Sequence, residues 1–518
     1  MQVESNIDIL TPWWMDWFHG GLNFHLVHHL YPRMPRHNFR QATAFVRKLC
    51  EAHNLHYDSC EWSTAIPILG GSFTACPTFL SLGNFLEPFI QFNDQMDRNG
   101  NEATSPSHDW KSSKQGKKLI GIDGYWYDIT NFIPYHPGGK VIEQFVGKDA
   151  SAVFHGFHRQ SVLRHRKPYA RMNETSVENS RVSQAFAHLG QYFEKEGYFV
   201  TDYYWYAKKF LVTFLMICCV VYIVTNYPTS DRVYLGAVAL AAFWQQCGFF
   251  MHDFEHNQFS QNRHIDKWLG TFFGTFCFGI SGSWWRDEHF IHHALTTCVD
   301  HDIGFADPQM MEAVVWAQNE KLWPFYQNRL SYFLIRIQHI TFLPLCVFMG
   351  RLAIIKASMV QERRLIEWAA FGLHWVWICV LLSYLPTWKH VFIFYGIAST
   401  IQGVLHIQLL ISHYAKDYHH VKNVSKDVNW AQMQVESNID IITPLWLDWF
   451  HGGLNFHLVH HLYPRMPRHN YRKATEYVRK VCHEYNLHYD HCGWFEAVKR
   501  TLSQLKRMSE HFSLDPNS

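Results

Sequence analysis

The sequence predicts an α-helical integral membrane domain with about four transmembrane helices, preceded by a small α+β domain. Four apolar runs are each roughly 18 to 20 residues long, enough to cross a bilayer, and they pair around short proline-containing turns. Aromatic residues make up 17% of the chain, with 21 Trp, and they gather at the ends of those runs as interfacial anchors do. Upstream, two short strand-like stretches flank a glycine turn. The net charge of +2 gives no polyanion-binding signature, so no nucleic-acid partner is expected. The 12 cysteines form no C-x-x-C pair, and Cys218, Cys219, Cys247, Cys346 and Cys379 sit in apolar runs as reduced packing residues. Nothing before Trp13 resembles a signal peptide, so membrane entry is expected to use an internal span. The 36 histidines are the anomaly of the composition.

Residues 1–62 align without a gap to 433–494, with 49 of 62 positions identical, and Trp17–Asn38 repeats Trp449–Asn470 letter for letter. Two copies at opposite ends are not a solenoid. One copy cannot complete a site that needs ligands from several elements, so 1–62 reads as a non-functional fused duplicate. Residues 63–107 hold Gly70-Gly71 and a polar run from Asn93 to Ser107, and read as linker.

The α+β domain is expected over 108–195. Leu119 to Ile129 reads as two strands around a turn, and His136-Pro137-Gly138-Gly139 and Phe154-His155-Gly156-Phe157-His158 follow. Pro137 fixes the backbone after His136, and Gly138 and Gly139 let the backbone approach a flat ligand closely. Two histidines about twenty residues apart, each on its own short helix, would clamp a haem iron from both faces and leave no open position, giving an electron carrier. The first is His136; His158 and His155 are the alternatives for the second. This stretch, about Lys117 to Tyr192, resembles cytochrome b5. The resemblance implies haem b on His136 and His158, because Phe157-His158 matches that family's phenylalanine–histidine pair.

The membrane domain is expected over 205–495. Its spans are Phe210–Tyr227, Val233–Met251, Ile366–Leu385 and His390–Ile411. Trp268–Trp285 is glycine-rich and polar-spotted, as in a re-entrant segment. Ser331–Met349 carries Arg336 and His339, which argues for lying at the interface. Residues 496–518 read as a polar tail. Two hairpins return the chain to one face, and the long segments there carry most of the Lys and Arg. By the positive-inside rule that face is cytosolic.

Three histidine clusters fall on the same face. They are His252 with His256, then His289 with His292 and His293, then His457 with His460 and His461. Residues three and four apart share a helix face, so each cluster turns imidazoles toward one point. Eight exceed what one zinc needs and suit two transition-metal ions. His413, ending the fourth span, is a ninth candidate, and His406 lies two turns deeper. Asp253, Asp287 and Glu288 are candidates to orient imidazoles by accepting their free N–H.

The HxxxH, HxxHH and HxxHH boxes resemble those of membrane-bound fatty-acid desaturases, and the fused cytochrome b5 narrows the resemblance to the front-end type. It implies two non-haem Fe ions that activate O2, with electrons passing from NADH-cytochrome b5 reductase to the haem and on to the irons. It also implies a multi-pass endoplasmic reticulum protein acting on a lipid. His457 departs from the glutamine that usually opens the third box of front-end enzymes. DWFHGGL and HHLYPRMPRHN look like fungal-type sphingolipid Δ8 desaturases, so Δ8 desaturation of the long-chain base of ceramide is the expected activity. A front-end fatty-acyl desaturase (Δ5, Δ6 or Δ8), a di-iron lipid hydroxylase and a non-catalytic electron carrier are the alternatives.

Overall fold

The computed structural model describes residues 7–10, 23–30, 34, 38–52, 57–61, 117–136, 138–164, 166–172, 180–311, 316–326 and 328–512. Pro137, the expected linker and residues 513–518 lie outside them. The chain divides into two compact units, Met1–Thr104 and Ser105–Ser518.

In the first unit, β1 (Ile7–Leu10) precedes α1 (His25–Leu30) and α2 (Phe39–Ala52), and β2 (Asp58–Glu61) pairs with β1 in parallel. Asp8 is the tie: one carboxylate oxygen accepts from Leu26 N–H at 2.8 Å and the other from the Tyr57 hydroxyl at 2.6 Å. Phe24, Leu26, Val27, Phe39, Val46 and Cys50 form a small core.

The second unit opens with β3 (Leu119–Ile122) and β4 (Tyr125–Asp128), antiparallel as expected, and β5 (Ala170–Arg171) extends β4. The hairpin turn needs two left-handed residues, Asp123 at φ 52° and Gly124 at φ 80°, and glycine adopts that conformation freely. Helical turns at Ile133–Tyr135 and Gly139–Phe145, with α3 (Ser151–Phe157), complete an apolar cup over the strands. In α4 (Arg181–Lys195), Ser180 caps the first turn by accepting from Ser183 N–H, and Phe186, Leu189 and Phe193 recur on the buried face.

Then come α5 (Tyr203–Asn226), capped by Asp202 accepting from Trp205 N–H at 2.9 Å, and α6 (Val233–Glu255), a hairpin of two bilayer-length apolar helices. From α7 (Arg263–Gly270) the chain continues as a π-helical stretch, Thr271–Phe278. It reverses at Gly279, φ 86°, and enters α8 (Gly282–Ala294). A Cβ on Gly282 would stand 2.9 Å from the Gly270 carbonyl oxygen, so the segment closes on itself. Strands β6 (Cys298–Asp300) and β7 (Phe305–Ala306) lead to α9 (Arg329–Gln361), α10 (Leu365–Leu382) and α11 (Trp388–Leu410), and β8 (His419–His420) pairs with β6.

Among the described residues five helices rather than four are long and apolar enough to span, because α9 runs for 33 residues where the sequence predicts a short interfacial segment. Its two ends are held by different neighbours. Near its start, Gln338 donates to the carbonyls of Ala317 (3.1 Å) and Leu505 (3.0 Å). At its end, Trp284 donates to Gln361 (3.1 Å) and Ser281 to Glu362 (2.5 Å), both donors opening the histidine-bearing α8.

The C-terminal part comprises α12 (Trp430–Ser437), β9 (Asp440–Ile442), α13 (Asp448–His451), α14 (His457–Leu462), α15 (Tyr471–Glu484), β10 (His491–Gly493) and α16 (Trp494–His511). It repeats the first unit's tie: β9 and β10 pair in parallel, and Asp440 accepts from Leu458 N–H (2.9 Å) and the Tyr489 hydroxyl (2.6 Å). The expected 496–518 tail is helical to His511. Ala497, Val498, Thr501, Leu505 and Met508 form a helical-period stripe buried toward α9, a periodicity that the polar composition hid.

Candidate metal centre and haem cavity

All nine histidines singled out in the membrane domain converge. The ligand atoms of His252, His256, His289 and His460 lie within 4.8 Å of one another, and so do those of His292, His413, His457 and His461. The spacing HxxHH explains the division. In α8, His289 faces the first group and His292 the second. In α14 the order inverts: His457 and His461 face the second group and His460 the first. His293 stands between the two, with its Nε2 3.0 Å from that of His289 and its ring 4.1 Å from that of His461.

Nitrogen pairs within the groups lie 2.8 Å (His252–His460), 2.9 Å (His413–His457) and 3.2 Å (His457–His461) apart. Ligands around a metal at about 2.1 Å stand about 3.0 to 3.4 Å from each other, so these sets are sized for metal ions. Burial, reinforced by neighbouring imidazoles, pulls His256, His289, His293, His413, His457, His460 and His461 well below the ordinary histidine range. They are held neutral, the form a metal takes. The Nε2 of His256 is buried with no hydrogen-bond partner, a vacancy in polar satisfaction that a metal would fill.

The outer nitrogens are held by residues the sequence did not single out. His289 Nδ1 meets Gln309 Oε1 at 2.8 Å, His292 Nδ1 meets Asp307 Oδ2 at 2.7 Å, and His461 Nδ1 meets Gln434 Oε1 at 2.9 Å. His413 Nδ1 donates to the Ser437 carbonyl at 2.8 Å, and His460 Nδ1 meets the Tyr471 hydroxyl at 2.9 Å. These contacts leave each Nε2 facing its group. No spacing rule links Asp307 or Gln434 to the boxes; only the fold brings them there. Of the expected carboxylates, Asp253 reaches an imidazole at ion-pairing distance and Asp287 is held by arginines. Asp253 pairs with Arg468 (2.9 Å) and accepts from the Tyr206 hydroxyl, its other oxygen standing 3.7 Å from His252; Asp287 pairs with Arg286 (2.8 Å) and with Arg364; Glu288 lines a cleft.

That cleft consists of two adjoining cavities that share Trp285, Ile354, His406, Leu409 and Leu454. One reaches His252 and His460, the other His289, His292 and His457, and apolar side chains dominate both. His406 therefore lines the cleft and does not join the ligand groups.

A separate apolar cavity lies under the cup of the α+β domain, between His136 and His158. Their ring centres are 6.2 Å apart. An iron roughly 2 Å from each nitrogen separates two facing imidazole centres by about 6 Å, so the pair fits a single haem iron. His136 Nδ1 donates to the Gly139 carbonyl at 3.0 Å, which leaves its Nε2 free to ligate. Burial pulls His158 down to about 4, again the neutral form. His155 is tied to Asp123 at 2.7 Å and is not among the residues that line this cavity. Gly138 is held against the His136 ring, where a Cβ would stand 2.9 Å away. Helical-domain residues close the cavity, and among them His256 also belongs to the first metal group.

Comparison with known proteins adds to this geometry. A family model described as fatty acid desaturase matches residues 1–61 and 232–493, and one described as cytochrome b5-like haem/steroid-binding domain matches 106–202. The Delta(8)-fatty-acid desaturase 1 of Arabidopsis thaliana is 30% identical over 423 residues, 76% of this chain and 91% of that protein. The Delta(6)-fatty-acid desaturase fat-3 of Caenorhabditis elegans is 28% identical, over 75% of this chain and 96% of that protein. The Delta 8-(E)-sphingolipid desaturase of Komagataella phaffii is 26% identical, over 69% and 68%.

Proposed function

The chain belongs to the fatty acid desaturase family, and on that premise we propose that it places a double bond at position 8 in the long-chain base of a sphingolipid. It is an oxidoreductase of lipid metabolism with a fused cytochrome b5-like domain, and its cofactors are haem and a di-iron centre. The observation that carries the reading is the apolar cleft, which runs past both histidine groups and suits an alkyl chain laid beside the metals. The Komagataella relative supports the sphingoid substrate, as do the DWFHGGL and HHLYPRMPRHN stretches.

In this reading His252, His256, His289, His293 and His460 hold one iron, and His292, His413, His457 and His461 hold the other. His136 and His158 hold haem b. Bound there, the irons would supply O2 activation and the haem one-electron transfer. The overall reaction takes two hydrogens from adjacent methylenes, and with two electrons and two protons reduces O2 to two waters. The protein's own part is positional. Asp307, Gln309 and Gln434 fix the imidazoles, the cleft excludes water and aligns the chain, and His256 forms a shared wall between haem and metals. NADH-cytochrome b5 reductase is the proposed electron source. The histidine-bearing side faces the cytosol of the endoplasmic reticulum, by the charge asymmetry of the connecting segments.

A fatty-acyl substrate is the second reading, favoured by the names of the Arabidopsis and Caenorhabditis relatives. One experiment separates the two. Yeast lacking Δ8-unsaturated bases would express the chain or its His460→Ala form, with sphingoid bases and fatty acids analysed by mass spectrometry from the same cells. A new double bond in the base, absent in the mutant, supports the proposal. A new bond confined to the acyl pool would replace the substrate.

A further inference from the structure

Three arginines follow the third box within twelve residues, and two are neutralised: Arg468 by Asp253 at 2.9 Å and Arg472 by Asp448 at 2.5 Å. Arg465 differs. Among the described residues it has no carboxylate within ion-pairing distance, and its Nε is buried without a hydrogen-bond partner. Its guanidinium stacks 5.2 Å from the Phe199 ring and forms part of the haem cavity wall. A second cation, Arg263, stands at the exposed rim of the same cavity. Among the described residues no acidic side chain lines this cavity, and its other walls there are apolar apart from imidazoles and Asn257. Such a cavity asks for a flat, apolar ligand that brings its own negative charge. Haem b does so, with two carboxylates on one edge of an otherwise apolar disc. Buried guanidinium groups favour carboxylates because the planar fork matches them with two hydrogen bonds.

We infer that Arg465, assisted at the rim by Arg263, binds the haem carboxylates, so that the desaturase domain itself completes the haem site. The inference rests on haem being held by His136 and His158. It makes the third histidine box a haem-contacting element as well as a metal-binding one. It also gives the porphyrin one orientation in the cavity, carboxylate edge toward Arg465, beside the wall that includes His256.

The test uses the full chain, loaded either with haem b or with its dimethyl ester, which has the same disc and no carboxylates. Haem loss to an excess of apomyoglobin is timed for the wild type, Arg465→Gln, Arg465→Lys and Arg263→Gln. Arg465→Gln is expected to speed loss of haem b about tenfold and to leave loss of the ester unchanged, with Arg465→Lys in between. Arg263→Gln should show a smaller effect of the same kind, and it decides the matter if Arg465→Gln does not accumulate. Equal acceleration for both porphyrins, or none for either, would overturn the inference. A wild-type chain without a bis-imidazole spectrum would overturn the haem site itself and this inference with it.

Discussion

At the scale of single residues, the outer contacts of the histidines carry the sharpest predictions. Asp307 is fully buried, and its carboxylate both holds His292 and accepts from Thr297 N–H at 2.9 Å. Removing the charge with Asp307→Asn should weaken iron binding at the second group by about 10- to 100-fold, as outer-contact losses do. Iron content after chelator challenge would measure this, and an unchanged content would deny Asp307 its orienting role. Gly452 follows α13 at φ 60°, and a Cβ there would stand 2.3 Å from the Phe249 ring. Gly452→Ala is therefore expected to displace the third box and cost most of the bound iron, whereas Gly493→Ala, with no atom near its Cβ, should cost little. Burial pushes the Cys482 thiol up to about 12. A thiol whose folded value lies above its unfolded one of about 8.5 contributes stability that is complete below that value and is lost as pH rises toward 12. Cys482 should thus resist alkylation at pH 8 in the folded chain and react once it is unfolded, as read by mass spectrometry.

At the scale of elements, the course of α9 is decisive for topology. If both its ends lie on the histidine-bearing side, cysteines placed at Arg329 and Arg363, both exposed, will react with a membrane-impermeant reagent from the same side. Labelling from opposite sides would make α9 a fifth span and would force a different path for α10 and α11. The re-entrant segment is held by a buried carboxylate: Glu367, at the start of α10, accepts hydroxyl hydrogen bonds from Thr271 (2.9 Å), Ser283 (2.6 Å) and Thr275. This anchors the beginning of α8, and with it His289, His292 and His293. The haem-bearing domain is joined to the metal groups by rings, with Phe157 5.8 Å from Phe290 and 6.2 Å from His293.

At the scale of the whole molecule, the duplicated segment shows what a local sequence can build alone. The first unit reproduces the parallel strand pair and the Asp8 tie found around Asp440, so this small fold is encoded within the repeated stretch. Its α2 leaves Phe45 74% exposed, whereas the equivalent Tyr477 on α15 packs against Tyr192 and Phe193 of α4. The other histidine-bearing elements, α6, α8 and the end of α11, belong to the second unit and have no counterpart in the duplicate. Deleting residues 1–107 is therefore expected to leave product formation unchanged in the yeast assay. Loss of product with the haem spectrum intact would give the duplicate a role in catalysis.

Much of this protein was legible in the chain itself. Apolar run length marked four of the five bilayer-length helices among the described residues, and HPGG with FHGFH marked the haem-bearing domain. The helical spacing of histidines marked eight of the nine residues now found together, because i, i+3 and i+4 positions share a face whatever the surroundings, and the end of the fourth span marked His413. What spacing could not say is how HxxHH divides between two centres, since that depends on where α6, α8, α11 and α14 meet. Asp307, Gln309, Gln434 and Tyr471 were equally invisible, being brought to the imidazoles by contacts between distant segments. Phe157-His158 already pointed to His158 in the sequence, but the contact that holds His155, with Asp123 more than thirty residues away, could not be read there. Periodicity is a property of one helix and can be read along it, but the partner of a buried nitrogen is a property of the packed chain.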